Sequence, residues 1–281
     1  MSAATVATRA PAVTLTEASA GRGRPRRRRL PRSVRRAAGP LLLLAVWQAL
    51  GTAGIVDDRT LAPPVDVVRA GWELASTGEL AQHLWVSLRR VVTGLAVGVT
   101  AGVALALLAG LFRWGEDVLD SALQVLRAVP VLGLLPLVII WFGIGEQPKV
   151  ALVAIGTTFP VYVNTFAAIR GVDARLVEAG TTFGLTRRGL VREVVLPGAV
   201  AGFLVGLRFA LTAAWLIMIV AEQINTTSGL GHLINEARVW ARTDVIVLAL
   251  AIYGLLGLLT DALVRFLERR LLAWRRGLEA S

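Results

Sequence analysis

Cysteine is missing altogether from these 281 residues, which excludes disulfides, iron–sulfur clusters and thiolate zinc sites. Histidine occurs twice, as His83 and His232. That separation does not suggest a metal centre, and both read as interfacial polar residues. Lysine occurs once, as Lys149 after Pro148, on what reads as the outer face. A phosphate-binding loop of the form G-x-x-x-x-G-K-[ST] needs a lysine to reach the nucleotide phosphates. The chain therefore cannot hydrolyse ATP or GTP by that route. There is also no Ser/His/Asp grouping and no H-E-x-x-H, so a membrane-bound enzyme has no candidate nucleophile or metal cluster. Charge is scarce at 17%, against about 25% in soluble domains. Carboxylates inside apolar stretches are scarcer still. Asp120, Glu222 and Asp261 fall near the ends of such stretches, where they can reach water. An ion-coupled secondary transporter usually needs a buried carboxylate, which weakens that reading while leaving it open.

What remains is apolar: 55% of the residues are hydrophobic, gathered into runs longer than one soluble core can use. The chain is predicted to be an all-α polytopic membrane protein. About 20 mostly apolar residues cross a bilayer, and six spans follow, at about 37–56, 91–112, 118–145, 150–169, 198–221 and 245–266. The third is expected to kink at Pro130 and Pro136. The fifth contains Arg208, which costs roughly 2.5–3.5 kcal/mol at mid-span, while each Leu, Ile, Phe or Val returns about 0.3–0.6. Eleven such residues at least match the penalty, so the span stands and Arg208 must face protein or water.

Basic residues set the orientation. Residues 1–36 mix Ala, Thr, Pro, Gly and Arg without periodicity and are expected to form a disordered basic tail. With the N-terminus inside, the inner segments hold 21 of the 30 Lys and Arg residues. Both termini are thus expected on the cytoplasmic side of a cell membrane. The tail reads as topology control with contact to anionic lipid. Nucleic-acid binding is not expected, because no aromatic-bearing basic domain accompanies it. A second reading of the start is a cleaved signal peptide ending at the small residues of 51–54.

The longest inner loop, 170–196, reads as two short surface helices. Asp173 caps the first and Gly184 ends it in a left-handed conformation. Thr186 caps the second, and Pro197 resets the chain for the fifth span. Such a knob suits docking into a groove on a soluble partner.

The loop resembles the cytoplasmic signature of permeases from binding-protein-dependent ABC importers: E-A-A, three residues, G, nine residues, I, one residue, L-P. Here Glu178-Ala179-Gly180, Gly184, Val194, Leu196 and Pro197 stand at that spacing. Gly180 and Val194 depart from the pattern. Five further stretches are similar to the nitrate, sulfonate and taurine branch. They are Ser87-Leu88-Arg89-Arg90 with Gly94 and Gly98, Arg127-Ala128-Val129-Pro130, Pro136-Leu137 through Trp141-Phe142-Gly143-Ile144-Gly145, Gly206-Leu207-Arg208 with Ala221-Glu222, and Gly229-Leu230-Gly231.

The resemblance covers about residues 40–275. It implies the transmembrane core of a type I ABC importer, without cofactors, whose energy arrives on another chain. The implied partners are a cytoplasmic ATPase at the coupling loop, an extracytoplasmic solute-binding protein, and a second permease copy, most simply an identical one. The solute implied is a small anion of sulfonate, nitrate or taurine type. Glu178, Ala179, Gly180, Gly184, Leu196 and Pro197 are then the ATPase-coupling residues. Arg208, Thr157, Thr158, Asn164 and Glu222 are candidate pathway residues. Each also has a structural reading: Arg208 paired with a carboxylate, the others bonded to their own or a neighbouring helix or exposed at a helix end. Gly94, Gly98 and Gly102 are spaced for close helix packing. The alternative from another class is a secondary transporter or channel acting alone.

Overall fold

The computed structural model describes residues 32–274 apart from 58, 113, 114, 116, 117, 119 and 120. The basic segment before Arg32, together with Arg113, Asp120, Arg275 and Arg276, lies outside the described residues. The chain divides into a unit of residues 1–43 and a unit of residues 44–281. Of the first, only the opening turns of α1 (Arg32–Thr52) are described. That helix starts inside the stretch whose composition predicts no regular structure. Arg32–Ala38 carries neither proline nor glycine, and arginine and alanine are good helix formers, so the helix of the apolar run extends backwards through them.

From Leu44 onward the elements are the end of α1, then α2 (Pro64–Ser76), α3 (Glu79–Leu111), α4 (Ser121–Leu126) and α5 (Leu135–Phe142). They continue with α6 (Gln147–Arg170), α7 (Ala174–Thr182), α8 (Arg187–Leu190), α9 (Leu196–Ala221), α10 (Leu230–Val239) and α11 (Thr243–Leu271). No strand occurs among the described residues. Among the described residues, four continuous stretches are long and apolar enough to cross a membrane: Glu79–Leu111, Gln147–Arg170, Arg187–Ala221 and Thr243–Leu271. They fall on the second, fourth, fifth and sixth predicted spans. Shorter apolar stretches, Ala38–Thr52 and Val131–Phe142, fall on the first and third.

The third span is broken rather than kinked. Helix α4 stops at Leu126, a 3₁₀ turn covers Val131–Leu134, and α5 begins at Leu135. Pro130 has no N–H for the ladder and pushes Val129 out of the helical region. Pro136 is harmless, because it occupies the first turn of α5, where a missing donor goes unused. Helix α5 ends at Gly143, which takes φ +76°, and Gly145 follows with φ +153°.

Helix α6 is the centre of the bundle, packed between α3 and α9. In lipid no hydrophobic force drives helices together, so association depends on close packing through small residues. A methyl group placed on Gly98 of α3 would lie 2.5 Å from the Ala154 carbonyl oxygen of α6. One on Gly102 would lie 2.7 Å from the Thr158 carbonyl oxygen. On the other side of α6, Gly202 and Gly206 of α9 bring the same kind of contact to Asn164 and Pro160. Helices α2 and α10 pack on the start of α11 through Ala70, Leu74, Leu233, Ala237 and Val245. The end of the bundle carrying residues 170–196 is the loop end below, and the opposite end, where α2 and α10 sit, is the far end.

This packing predicts a contrast between two glycines. Gly98→Val should cost about 3 kcal/mol or more by overpacking, read as a lowered unfolding temperature in detergent. Gly254→Val on α11, where a β-carbon meets nothing within 4 Å, should leave that temperature unchanged.

Candidate functional site

At the loop end, Asp173 caps α7 by accepting the Arg175 N–H at 2.9 Å. Gly184 has φ +84°, and two crossed bonds close the helix: Leu185 N–H to the Gly180 carbonyl at 3.0 Å and Gly184 N–H to the Thr181 carbonyl at 2.9 Å. This is the left-handed stop that glycine favours. Gly180 is the one buried residue of α7. A β-carbon there would lie 2.6 Å from a Leu190 methyl, which gives the departure from alanine a packing reason. Ala179 and Glu178 are exposed on the same helix, and Phe183 at the elbow is 87% exposed.

Thr186 caps the second helix through the Gly189 N–H. That helix does not stop at Pro197 as its sequence suggests. It passes through one widened turn, Val191–Val195, into Leu196 and α9. The wide turn sits directly before Pro197, whose ring offers Glu193 no N–H and crowds its carbonyl. Residues 187–221 are therefore one rod.

At the far end the structure assembles a buried ionic site. The Glu222 carboxylate, at the C-cap of α9, is fully buried. Four donors surround it: Arg90 Nη1 at 2.7 Å, Ser87 Oγ at 2.7 Å, the Gly231 N–H at 2.9 Å and the Tyr253 hydroxyl at 3.1 Å. Arg90 Nη1 also donates to the Ser228 carbonyl at 2.8 Å, while its Nε and Nη2 both reach Glu146, at 2.5 Å each. The Arg90 side chain is only 1% exposed and that of Glu146 is 48% exposed. The guanidinium bonded to it holds the Glu146 carboxyl below the usual glutamate range, against a smaller opposing effect of burial.

The loop 226–231 closes over this pair. A β-carbon on Gly229, where φ is +117°, would fall 2.5 Å from Glu222 Oε1. Lys149 is not a solvated surface cation. It is buried near the start of α6, and its Nζ donates to the Gly145 and Asn225 carbonyls, joining the two loops that carry Glu146 and Glu222. The two histidines, distant in sequence, have ring centroids 5.9 Å apart. His83 is buried, and its Nδ1 accepts the Gly229 N–H at 2.9 Å.

The remaining candidates separate. Thr157 is fully buried at the Gly98 contact and donates to Val153 and Ala154 of its own helix. Thr158 donates to Ala154, and Asn164 to Pro160, also within α6. Arg208 on α9 pairs with two carboxylates of α11, Glu268 at 2.7 Å and Asp261 at 3.3 Å. Glu222 is no exposed helix end, and it shares a site with none of these four.

Residues 98–273 match the family of binding-protein-dependent transport system inner membrane components. The chain is 47% identical over 235 residues to the Escherichia coli permease SsuC, named for aliphatic sulfonates transport, covering 84% of this chain and 89% of that one. Identity to the Bacillus subtilis permease of the same name is 41%, over 85% and 87% of the two chains. The chain belongs to this family. It is a permease subunit of an ABC importer, embedded in the inner membrane through several helices, and ATP is hydrolysed on separate ATPase subunits. Its partners include such an ATPase and a solute-binding protein. A solved amino acid ABC transporter superposes with a TM-score of 0.58 over 70% of this chain and 96% of that chain, at 22% identity, which shows the shared fold.

Three stretches singled out for their family likeness, the Ser87–Arg90 run, Ala221-Glu222 and Gly229–Gly231, meet at the ionic site, with Glu146 directly after a fourth. Sequence reasoning left Arg90, Glu146, Ser87 and Tyr253 without roles. The available signal was an arginine inside an apolar helix, which lipid does not tolerate unpaired. Arg90→Met, which leaves Glu222 buried without its cation, should cost about 3–5 kcal/mol. Combined with Glu222→Leu, the loss should fall short of the sum of the single losses in a double-mutant cycle; strict additivity would show the two residues to be uncoupled.

Proposed function

We propose that two copies of this chain form the translocation pathway of an importer for a small organic sulfonate, driven by ATPases that press on residues 173–195. The observation that carries the coupling reading is the elbow: a capped helix, a left-handed Gly184 and an exposed Phe183 project as one rigid knob. In this reading the loop end is cytoplasmic, with both termini on that side, and the far end faces the solute-binding protein. Glu178 and Ala179 supply the exposed face of the knob, Gly180 lets its two helices meet, and Gly184 turns the chain. Leu196 and Pro197 join the knob to α9. Closure of the ATPases brings the two knobs together, and rigid-body rocking alternates access.

Support for a sulfonate comes from the names of the two SsuC relatives and of the Escherichia coli taurine permease TauC, 33% identical over 87% of this chain. The decisive test is on coupling. A Glu178→Trp, Gly184→Leu variant should insert normally yet lose nearly all ATP-driven uptake in proteoliposomes with its ATPase and binding protein. Wild-type uptake by that variant, or labelling of residues 173–195 from the exterior, would overturn the reading.

A further inference from the structure

Arg90 is shared by two carboxylates of opposite character. Glu222 is fully buried, with three donors besides Arg90. Glu146 is half-exposed, and its side chain is held by the Arg90 fork, with Arg89 a further 4.0 Å away and itself 60% exposed. The residue stands on a short connection whose glycines, Gly143 and Gly145, have open space where a β-carbon would be. Two positive-φ glycines thus precede the acid, and the connection is tied to the Asn225 loop through Lys149, which donates to the Gly145 and Asn225 carbonyls.

The paired Nε and Nη2 donors of Arg90 form a flat fork that donates to two oxygens of one oxyanion. A carboxylate occupies it now, and a sulfonate presents the same two-oxygen edge. Replacing one monoanion by another leaves the local charge unchanged, so the buried Arg90–Glu222 pair never faces an uncompensated charge. A neutral or cationic solute cannot make that exchange.

We propose that Glu146 is a built-in anion that occupies the Arg90 fork until the oxyanion of an arriving solute displaces it, with Arg89 as the exposed arm that receives the solute first. This rests on the anionic solute proposed above. Displacement frees the 143–146 connection between α5 and α6, so arrival of the solute is converted into movement of the broken third span. The fork thus selects for charge at the mouth of the pathway.

The test uses the complete transporter in proteoliposomes, with ethanesulfonate presented by the binding protein. Glu146→Gln should raise the solute-free ATPase rate at least about fivefold, the low end of ordinary coupling. It should also lower the concentration of loaded binding protein that gives half-maximal stimulation, whereas Glu146→Asp should stay close to wild type. Arg89→Gln should raise that concentration several-fold, which keeps the idea testable if Glu146→Gln does not fold. Unchanged solute-free rate and half-maximal concentration in a folded Glu146→Gln transporter would overturn the latch, as would an unchanged half-maximal concentration in Arg89→Gln. If ethanesulfonate fails to stimulate wild type while Glu146→Gln still raises the solute-free rate, the latch stands and the sulfonate reading falls.

Discussion

The Arg90–Glu222 pair is buried at the far end of the bundle, with side chains 1% and 0% exposed, and its needs constrain the architecture around it. Stripping two such ions of water costs several kcal/mol each even after relaxation, and mutual attraction offsets this only when the remaining donors and acceptors are also filled. Here they are filled by four separate elements: Ser87 from α3, Gly231 from the start of α10, Tyr253 from α11 and Ser228 from the closing loop. Each must arrive within hydrogen-bond distance. That is possible because glycines let α3 and α9 approach α6 almost backbone to backbone. The small-residue stripes and the ionic site are one design: the stripes set the helix separation that the ion pair requires.

The same geometry connects the two ends of the protein. Residues 187–221 form a continuous rod, about 52 Å long at 1.5 Å per residue, with the elbow of the knob at one tip and Glu222 at the other. In the proposed cycle a displacement of the knob is carried by this rod, with the widened turn at Val191–Val195 as the place where it yields. Helix α6 lies along the rod for most of its length and begins directly after Glu146. A shift of α9 against α6 therefore changes the distance between the two acids that share Arg90. Coupling between distant sites needs a contiguous element with two arrangements, and in the proposed cycle the continuous rod ending beside the shared arginine is that element.

Much of this was legible in the residues. The long apolar runs located four spans, and Asp173, Gly184 and Thr186 defined the knob, because capping and left-handed turns are local chemistry. The failures came from chemistry that is not local. Arg90 finds Glu146 and Glu222 across 56 and 132 positions, and no periodicity encodes those distances. Pro130 and Pro136 look alike in a list of prolines, yet one breaks a helix and the other starts one, depending on whether the missing N–H falls inside a turn or before it. Glu222 was placed at a helix end, which is correct, but helix ends meet water only when no loop covers them, and Gly229–Gly231 does. His83, which reads as an interfacial polar residue, is buried beneath the same loop.

Arg208 shows that an arginine in an apolar helix does not by itself mark a pathway. It lies 12 residues from the start of α9, deep by count, and on insertion scales it should be nearly as costly as Arg90. Its two partners, however, lie toward the loop end of α11, a helix of 29 residues and therefore about 44 Å long, longer than the hydrocarbon it crosses. Asp261 and Glu268 are themselves partly exposed, and the Arg208 side chain reaches toward them and remains 38% exposed. A long flexible cation with carboxylates in that direction leaves the hydrocarbon by leaning out of it. Arg90 has no such exit, since its side chain is only 1% exposed, so its charge must be answered by the groups bonded to it. The difference between a tie joining two helices and a site able to exchange an anion is set by where the partner carboxylates stand relative to water, and of the two carboxylates on Arg90 it is Glu146 that water can reach.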